Sequence, residues 1–246
     1  MQDDRLYLTD AYIRKFDATV VESDHGWCVR SQTAFYPGGG GQPPDEGWLI
    51  WNDERLAVRG VRDDAAGRVW HEIGRDLPPA AHVRGTIDWP NRYACMRSHC
   101  LLHVVNAVAR RRFGGLVTGA QIGPDRSRVD LSVTGFTRDD VPAFEAEVNA
   151  VAREGRRVTA VVERADALDA RPELVRTRMV RPPVVAGTVR IVEIEGFDAQ
   201  ACGGTHVHST LEIGEARVTK FENRGRHNKR FYWDLEVKPA RSDSPH

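Results

Sequence analysis

Two histidines, His99 and His103, lie four residues apart with Cys100, Leu101 and Leu102 between them. In a helix that spacing puts both side chains on one face, their Cβ atoms about 5 to 6 Å apart, so both imidazoles can reach one metal ion. Far along the chain, Cys202-Gly203-Gly204-Thr205-His206 offers a thiolate and a third imidazole. Its two glycines are expected to permit an otherwise strained turn that makes Cys202 and His206 converge. Three imidazole nitrogens and one thiolate form a donor set well suited to zinc. Two neighbours compete for these places: His208, which shares the face of His206 in an extended segment, and Cys95, one helical turn before His99. His206 is preferred because the glycine turn aims it back at Cys202, and Cys95 reads as buried packing.

A second group of residues offers binding but no nucleophile. Four consecutive glycines, Gly38, Gly39, Gly40 and Gly41, follow Phe35-Tyr36-Pro37 and precede Gln42 and Asp45. Alone, such a run is a flexible turn, although its exposed N–H groups can approach a phosphate closely. Gln42 and Gln121 are polar pocket candidates, Asp45 reads equally as a turn residue, and Asp130 as structural. The basic clusters Arg110, Arg111, Arg112 and Lys220, Arg224, Arg226, Lys229, Arg230 read first as solvated faces.

The elements that must hold these residues follow from pattern. Short strands broken by turns are expected at 18–21, 26–29, 48–51, 57–61 and 68–71, the pattern of a small β-barrel. Asp88 is a fair N-cap and Pro90 fits a first turn, so a long helix is expected to run to Phe113 and stop at Gly114-Gly115. Beyond it the pattern alternates: strands near Ile122 and over 129–133, a helix over 139–154, a strand over 158–162, a short helix over 166–179, strands over 189–194 and 215–222, and a last strand over 230–237 closing the sheet, with a loose tail from Lys238. The class is α+β, with units over 1–86 and 87–240.

The 246 residues are 41% hydrophobic and 28% charged, which supports a packed core and excludes a disordered chain. No apolar run approaches a membrane span, and the first residues lack a signal peptide's pattern, so a cytoplasmic location is expected. Four scattered cysteines cannot frame a disulfide scaffold, which leaves them as thiols or ligands. A formal net charge of zero argues against whole-molecule steering toward nucleic acid, so any RNA contact must be local.

The stretch Ile87-Asp88-Trp89, Arg92 and Met96-Arg97-Ser98-His99 through His103, together with Ala201-Cys202-Gly203-Gly204-Thr205-His206-Val207, resembles the editing domain shared by AlaX proteins and alanyl-tRNA synthetases. The segment from Phe35 to Asp45 is similar to the glycine-rich motif of the AlaX form with an extra N-terminal barrel, and Ala120-Gln121-Ile122 with Asp130 to the family's middle segment. The resemblance implies a small N-terminal barrel followed by a two-layer α/β editing domain with a mainly antiparallel sheet and a long zinc-bearing helix. It implies one zinc ion held by His99, His103, Cys202 and His206, and hydrolysis of mischarged tRNA-Ala, Ser-tRNA-Ala first and Gly-tRNA-Ala second. A zinc-bound water and Gln121 are the expected catalytic groups. Gly38 to Gly41, Gln42, Cys100, Gly203 and Thr205 are the expected substrate contacts. Cys100 departs from the Thr or Ser common after the first ligand histidine. The chain resembles an isolated editing enzyme more than a synthetase, with no membrane and no stable protein partner implied. The competing readings are a non-catalytic tRNA-binding module with a structural zinc, and a metallohydrolase of another small ester or amide.

Overall fold

The computed structural model describes residues 4–177, 182–185 and 187–236. The chain divides into two compact units, Met1–Arg92 and Tyr93–His246. No helix among the described residues is long and apolar enough to cross a membrane.

The first unit is built on seven antiparallel strands: β1 (Lys15–Asp24), β2 (Trp27–Arg30), β3 (Gly47–Trp51), β4 (Glu54–Val58), β5 (Gly60–Asp63), β6 (Val69–Glu72) and β7 (His82–Ile87). They pair in the order β4-β3-β7-β1-β2-β6-β5. β1 alternates, sending Phe16, Ala18 and Val20 inward. It pairs with β7 over 15–19 and with β2 over 20–24, with a register shift between Val20 and Glu22. Such a shift bends a strand and increases its twist. The sheet therefore curls around one core, to which both ends of the strand order contribute: Leu56 and Val58 from β4, Val61 and Val69 from β5 and β6.

The expected closed barrel is not found among the described residues, because no ladder joins the edge strands β4 and β5. Arg59 alone separates them in the chain. One residue cannot reverse a strand into a hairpin, which needs at least about two. The seam is crossed by the chain itself, and the strand expected over 57–61 is two strands meeting at this corner. β7 was not anticipated, since Gly85 and three polar residues mask its alternation of Val83, Gly85 and Ile87.

A long helix α1 (Trp89–Phe113) begins in this unit. The Asp88 carboxylate accepts a hydrogen bond from the Asn91 amide at 3.3 Å, the capping role its type suggests. Arg92, buried in the first turn, donates to Asp45 through Nε at 2.8 Å and through Nη2, and to the carbonyls of Ala11 at 2.9 Å and Ala34 at 2.6 Å. Asp45 also accepts from the Tyr36 amide. It is therefore the anion of a buried pair as well as a turn residue, and the pair ties the first turn of α1 to the first unit.

The second unit holds the rest of α1, buried on every side from Cys95 to Ala109. Buried polar groups on such a helix need partners, and each fixes its rotation. Arg97 donates to the carbonyls of Ile213 and Glu236, both at 2.8 Å, and Ser98 to that of Gly123 at 3.0 Å. A four-stranded antiparallel sheet follows, from β8 (Val117–Gln121), β9 (Arg126–Leu131), β13 (Ala216–Asn223) and β14 (Lys229–Leu235), ordered β8-β9-β14-β13. Its inner face, with Phe221, Phe231 and Trp233, packs on Phe144 of α2 (Val141–Arg153) or on Phe136. A second small sheet centres on β11 (Thr188–Ile194), paired along its full length with β10 (Val158–Arg164). Its other edge carries Val184–Val185 and β12 (Asp198–Ala201).

The single sheet expected here is thus two, and β14 lies inside its sheet instead of closing it. The helix expected over 166–179 is one turn, Ala167–Ala170, because Pro172 cannot continue it, and a 3-10 turn Pro172–Leu174 follows. Met179, Val237 and the expected tail from Lys238 lie outside the described residues.

Replacing Asp45 by Ala strands the Arg92 guanidinium in the core. A loss of about 3 to 5 kcal/mol is expected. Urea unfolding checks it, and a loss below about 1 kcal/mol would show that the buried pair does not hold this helix start.

Candidate metal centre

α1 carries His99 and His103 one turn apart, their ring centroids 5.1 Å from each other. The remaining donors come from the segment after β12. That strand pairs with β11, placing Ala201 opposite Ile191, and the Cys202 amide continues the ladder to the Arg190 carbonyl at 2.9 Å. The Arg190 side chain then reaches past the strand end: Nη1 donates to the carbonyls of Cys202 at 3.1 Å and Gly204 at 2.9 Å. One guanidinium therefore brackets Gly203 from both sides and sets the direction of the turn.

The glycines work differently from the expectation. Neither Gly203 nor Gly204 adopts left-handed backbone. Space is what Gly203 supplies, since a Cβ there would lie 2.9 Å from Cγ of Pro183. Past the turn, the Ser209 side chain caps a 3-10 turn, Thr210–Glu212, in a capping box with Glu212, and the Tyr93 hydroxyl donates to the same carboxylate at 2.9 Å. Both flanks of the Cys202–His206 segment are held.

The result is a cluster in which the donor atoms of His99, His103, Cys202 and His206 all lie within 4.8 Å of one another. Nε2 of His206 is 3.1 Å from Nε2 of His103, and Sγ of Cys202 is 3.4 Å from Nε2 of His99 and 3.8 Å from Nε2 of His206. A zinc ion with bonds near 2.0 Å to nitrogen and 2.3 Å to sulfur holds tetrahedral ligands about 3.3 to 3.8 Å apart. The donor set suits zinc in type, and its three nearest pairs, at 3.1 to 3.8 Å, lie close to that spacing.

The electrostatics agree. Burial is the main cause holding all three imidazoles below their ordinary pKa, reinforced at His99 by His103 and Arg190, and at His206 by the other two histidines and Arg190. His103 is lowered to about 3 by burial, then by Arg190 and Arg176. Neutral imidazole is the form that binds metal. Burial pushes the Cys202 thiol up, opposed by the Gly204 backbone and Arg190.

A network fixes the helix from behind. Gln200 Nε2 donates to the His103 carbonyl at 3.2 Å and to Asp198 at 2.6 Å, while Asn106 donates to Gln200 at 3.0 Å. Asp198 is in turn paired with Arg176 at 2.5 Å. None of Arg190, Gln200 or Asn106 was singled out from the sequence. Asn106 alone carried a signal, lying one turn past His103; Arg190 serves carbonyls that only the folded turn places beside it.

Among the rivals, His208 is exposed and Cys95 buried, and neither joins the cluster. Cys100 is fully buried, its thiol raised by burial and then by Glu212. Thr205 is fully buried, and Gly203 half-buried beside Pro183. Gln121 lies exposed at the end of β8, with no hydrogen bond to the cluster among the described residues. In the first unit, Gly38, Gly39, Gly40 and Gly41 all take positive φ, at 87°, 126°, 59° and 90°. The run is therefore a conformational requirement, since side chains rarely occupy that region. Gly39 and Gln42 exchange backbone hydrogen bonds across this tight loop, and the Gln42 side chain is buried beneath it.

A family model described as the threonyl and alanyl tRNA synthetase second additional domain matches residues 189–232, the stretch from β11 into β14. The alanyl-tRNA editing protein AlaX-M of Saccharolobus solfataricus is 38% identical over 237 residues, spanning 95% of this chain and 99% of its own length. That of Methanosarcina acetivorans is 37% identical over 240 residues, spanning 94% and 98%. The chain belongs to the AlaX-M family of alanyl-tRNA editing proteins. Similarity to the alanine tRNA ligase of Pyrococcus furiosus, 36% over 225 residues, covers 88% of this chain and only 24% of that protein. The AlaX-M match thus runs through both compact units, including the glycine loop and the four clustered donors.

The raised thiol predicts how metal affinity depends on pH. The imidazoles are already neutral near pH 7, whereas Cys202 must lose a proton to ligate, so log affinity is expected to rise by about one per pH unit between pH 6 and 8. Competition with a chromogenic chelator checks this, and a flat profile would remove the thiolate from the set. Arg190→Met is expected to lower metal affinity about 10- to 100-fold by releasing the turn; unchanged affinity would show that the clamp plays no part.

Proposed function

We propose that this chain is a cytoplasmic trans-editing hydrolase that deacylates mischarged tRNA-Ala, with Ser-tRNA-Ala as its first substrate and Gly-tRNA-Ala as a second, and with one zinc ion held by His99, His103, Cys202 and His206. The observation that carries the reading is the buried cluster of three neutral imidazoles and one thiol, in a chain whose full-length relatives are named alanyl-tRNA editing proteins. When bound, zinc supplies Lewis acidity toward an ester carbonyl or a water.

The chain's own groups do the rest. His99 and His103 are presented by a helix that Arg97, Ser98 and Asn106 hold against rotation. Arg190 keeps the Cys202 and Gly204 carbonyls turned toward itself and places a cation beside the site. Cys100 is packed in the core, so we assign discrimination to groups other than its thiol. Gln121 is the candidate polar contact from β8. The exposed backbone of Gly40 and Gly41 in the first unit is proposed as a separate contact to the tRNA, through N–H groups that no side chain covers, while the Gly39 N–H is used within the loop by the Gln42 carbonyl.

A pocket that bonds a substrate hydroxyl rejects the analogue lacking it by about 10⁴. Ser-tRNA-Ala should therefore be hydrolysed far faster than Ala-tRNA-Ala by the zinc-loaded protein, and equal rates would overturn the assignment. Cys202→Ala should lose metal and hydrolysis together. Four protein donors also describe a structural zinc site, so a zinc-loaded protein that binds tRNA and cleaves neither ester would establish the non-catalytic reading instead. For the loop, Gly40 has φ 59° and nothing within 4 Å of a built Cβ. Asn tolerates that conformation, so Gly40→Asn should keep the fold and the metal while slowing deacylation. Full activity would make the loop a connector.

A further inference from the structure

The outer face of the β8-β9-β14-β13 sheet carries a row of side chains of which the proposed function uses Gln121 alone. Directly opposed residues of antiparallel strands share a face, and the register sets Gln121 opposite Arg128, Arg128 opposite Tyr232, and Tyr232 opposite Lys220. The flanking rows are neutralised: Arg126 pairs with Asp234 at 2.8 Å, and Arg230 with Asp130 at 2.6 Å. Most of the basic cluster noted in the sequence is likewise engaged. Lys220 and Arg224 share Glu222 at 2.6 and 2.8 Å, and Lys229 Nζ donates to Asn223 and the Gly225 carbonyl.

Arg128 is the exception. It has no ion-pair or hydrogen-bond partner among the described residues, and its Nε is buried without a bond. A half-buried guanidinium held at the centre of a sheet face with no anion is a cost that a ligand's negative charge would relieve. Next to it stands the half-buried Tyr232 ring, with Lys220 Nζ 5.3 Å from its centroid. An aromatic face between two cations, one of them unneutralised, is the arrangement that takes a stacked base with its phosphates on either side.

The segment after the β8 end of the row is anchored to the metal-bearing helix. Gly123, two residues past Gln121, accepts a hydrogen bond from Ser98, the residue before His99. We propose that Arg128, Tyr232 and Lys220 form a track for the single-stranded end of an RNA, Tyr232 stacking a base and the two cations taking adjacent phosphates. This rests on the proposed function for the identity of that RNA, while the track itself rests on the unpaired Arg128 and the register.

The test is anisotropy with fluorescent, uncharged tRNA-Ala across a KCl series, using the zinc-loaded full chain. Lys220→Ala and Arg128→Ala should each weaken binding about tenfold and lower the salt slope by about one. Tyr232→Ala should weaken it about tenfold with the slope unchanged, and Tyr232→Phe should restore wild-type binding. Lys220 is exposed, so if Arg128→Ala folds poorly, Lys220→Ala and the Tyr232 pair decide the matter. Affinity and slope unchanged in Lys220→Ala and Tyr232→Ala would overturn the track. Deacylation is scored separately: a wild-type protein that binds through this row but hydrolyses nothing would sink the proposed function and leave the track standing.

Discussion

Neutral imidazole rings have little reason to crowd together, and here three of them meet a thiol with donor atoms as close as 3.1 Å. Burial makes this arrangement possible and also constrains it. Because the site is desolvated, charged imidazolium is disfavoured at each position. The rings can thus share a small space without mutual repulsion, and they stand ready to give lone pairs to a cation. Much of the second unit serves this convergence, because two donors come from the middle of a buried helix and two from a turn at the end of a hairpin.

The helix half is held by polar groups that a buried helix would ordinarily avoid. Arg97, Ser98 and Asn106 each find a partner on a different segment. Together they fix rotation about the helix axis, which for a donor some distance from the axis matters more than fixing its length. The turn half is held by Arg190, which belongs to the strand beside it and bonds two of its carbonyls. A cation so close to the donors lowers the basicity of the imidazoles and favours the thiolate, so the same residue shapes the turn and tunes its chemistry.

The first unit follows a different logic. Its sheet curls around a single core, but the two edge strands are consecutive in the chain and meet at Arg59, so covalent continuity stands where a closing ladder would be. Its buried charge pair, Asp45 with Arg92, explains why the compact unit includes the first turn of a helix whose remainder belongs to the second.

Residue types and spacing alone determined a good part of this. His99 and His103 at helical spacing, the Cys202 to His206 motif, the helix start at Asp88 and its end at Phe113 were all legible, since they depend on local periodicity and capping. The edges of most strands were legible to within a few residues for the same reason. What required the tertiary structure were features set by segments distant in sequence. The division of the second unit's strands into two sheets, with β14 internal, depends on pairing partners that alternation cannot name. Gly203 looked like a residue chosen for its torsion angles and proved to be chosen for the room that Pro183 leaves it. Arg190, Gln200 and the unpaired Arg128 carry no local signature, because what defines each is a carbonyl, a helix or a missing anion brought near only when the chain has folded.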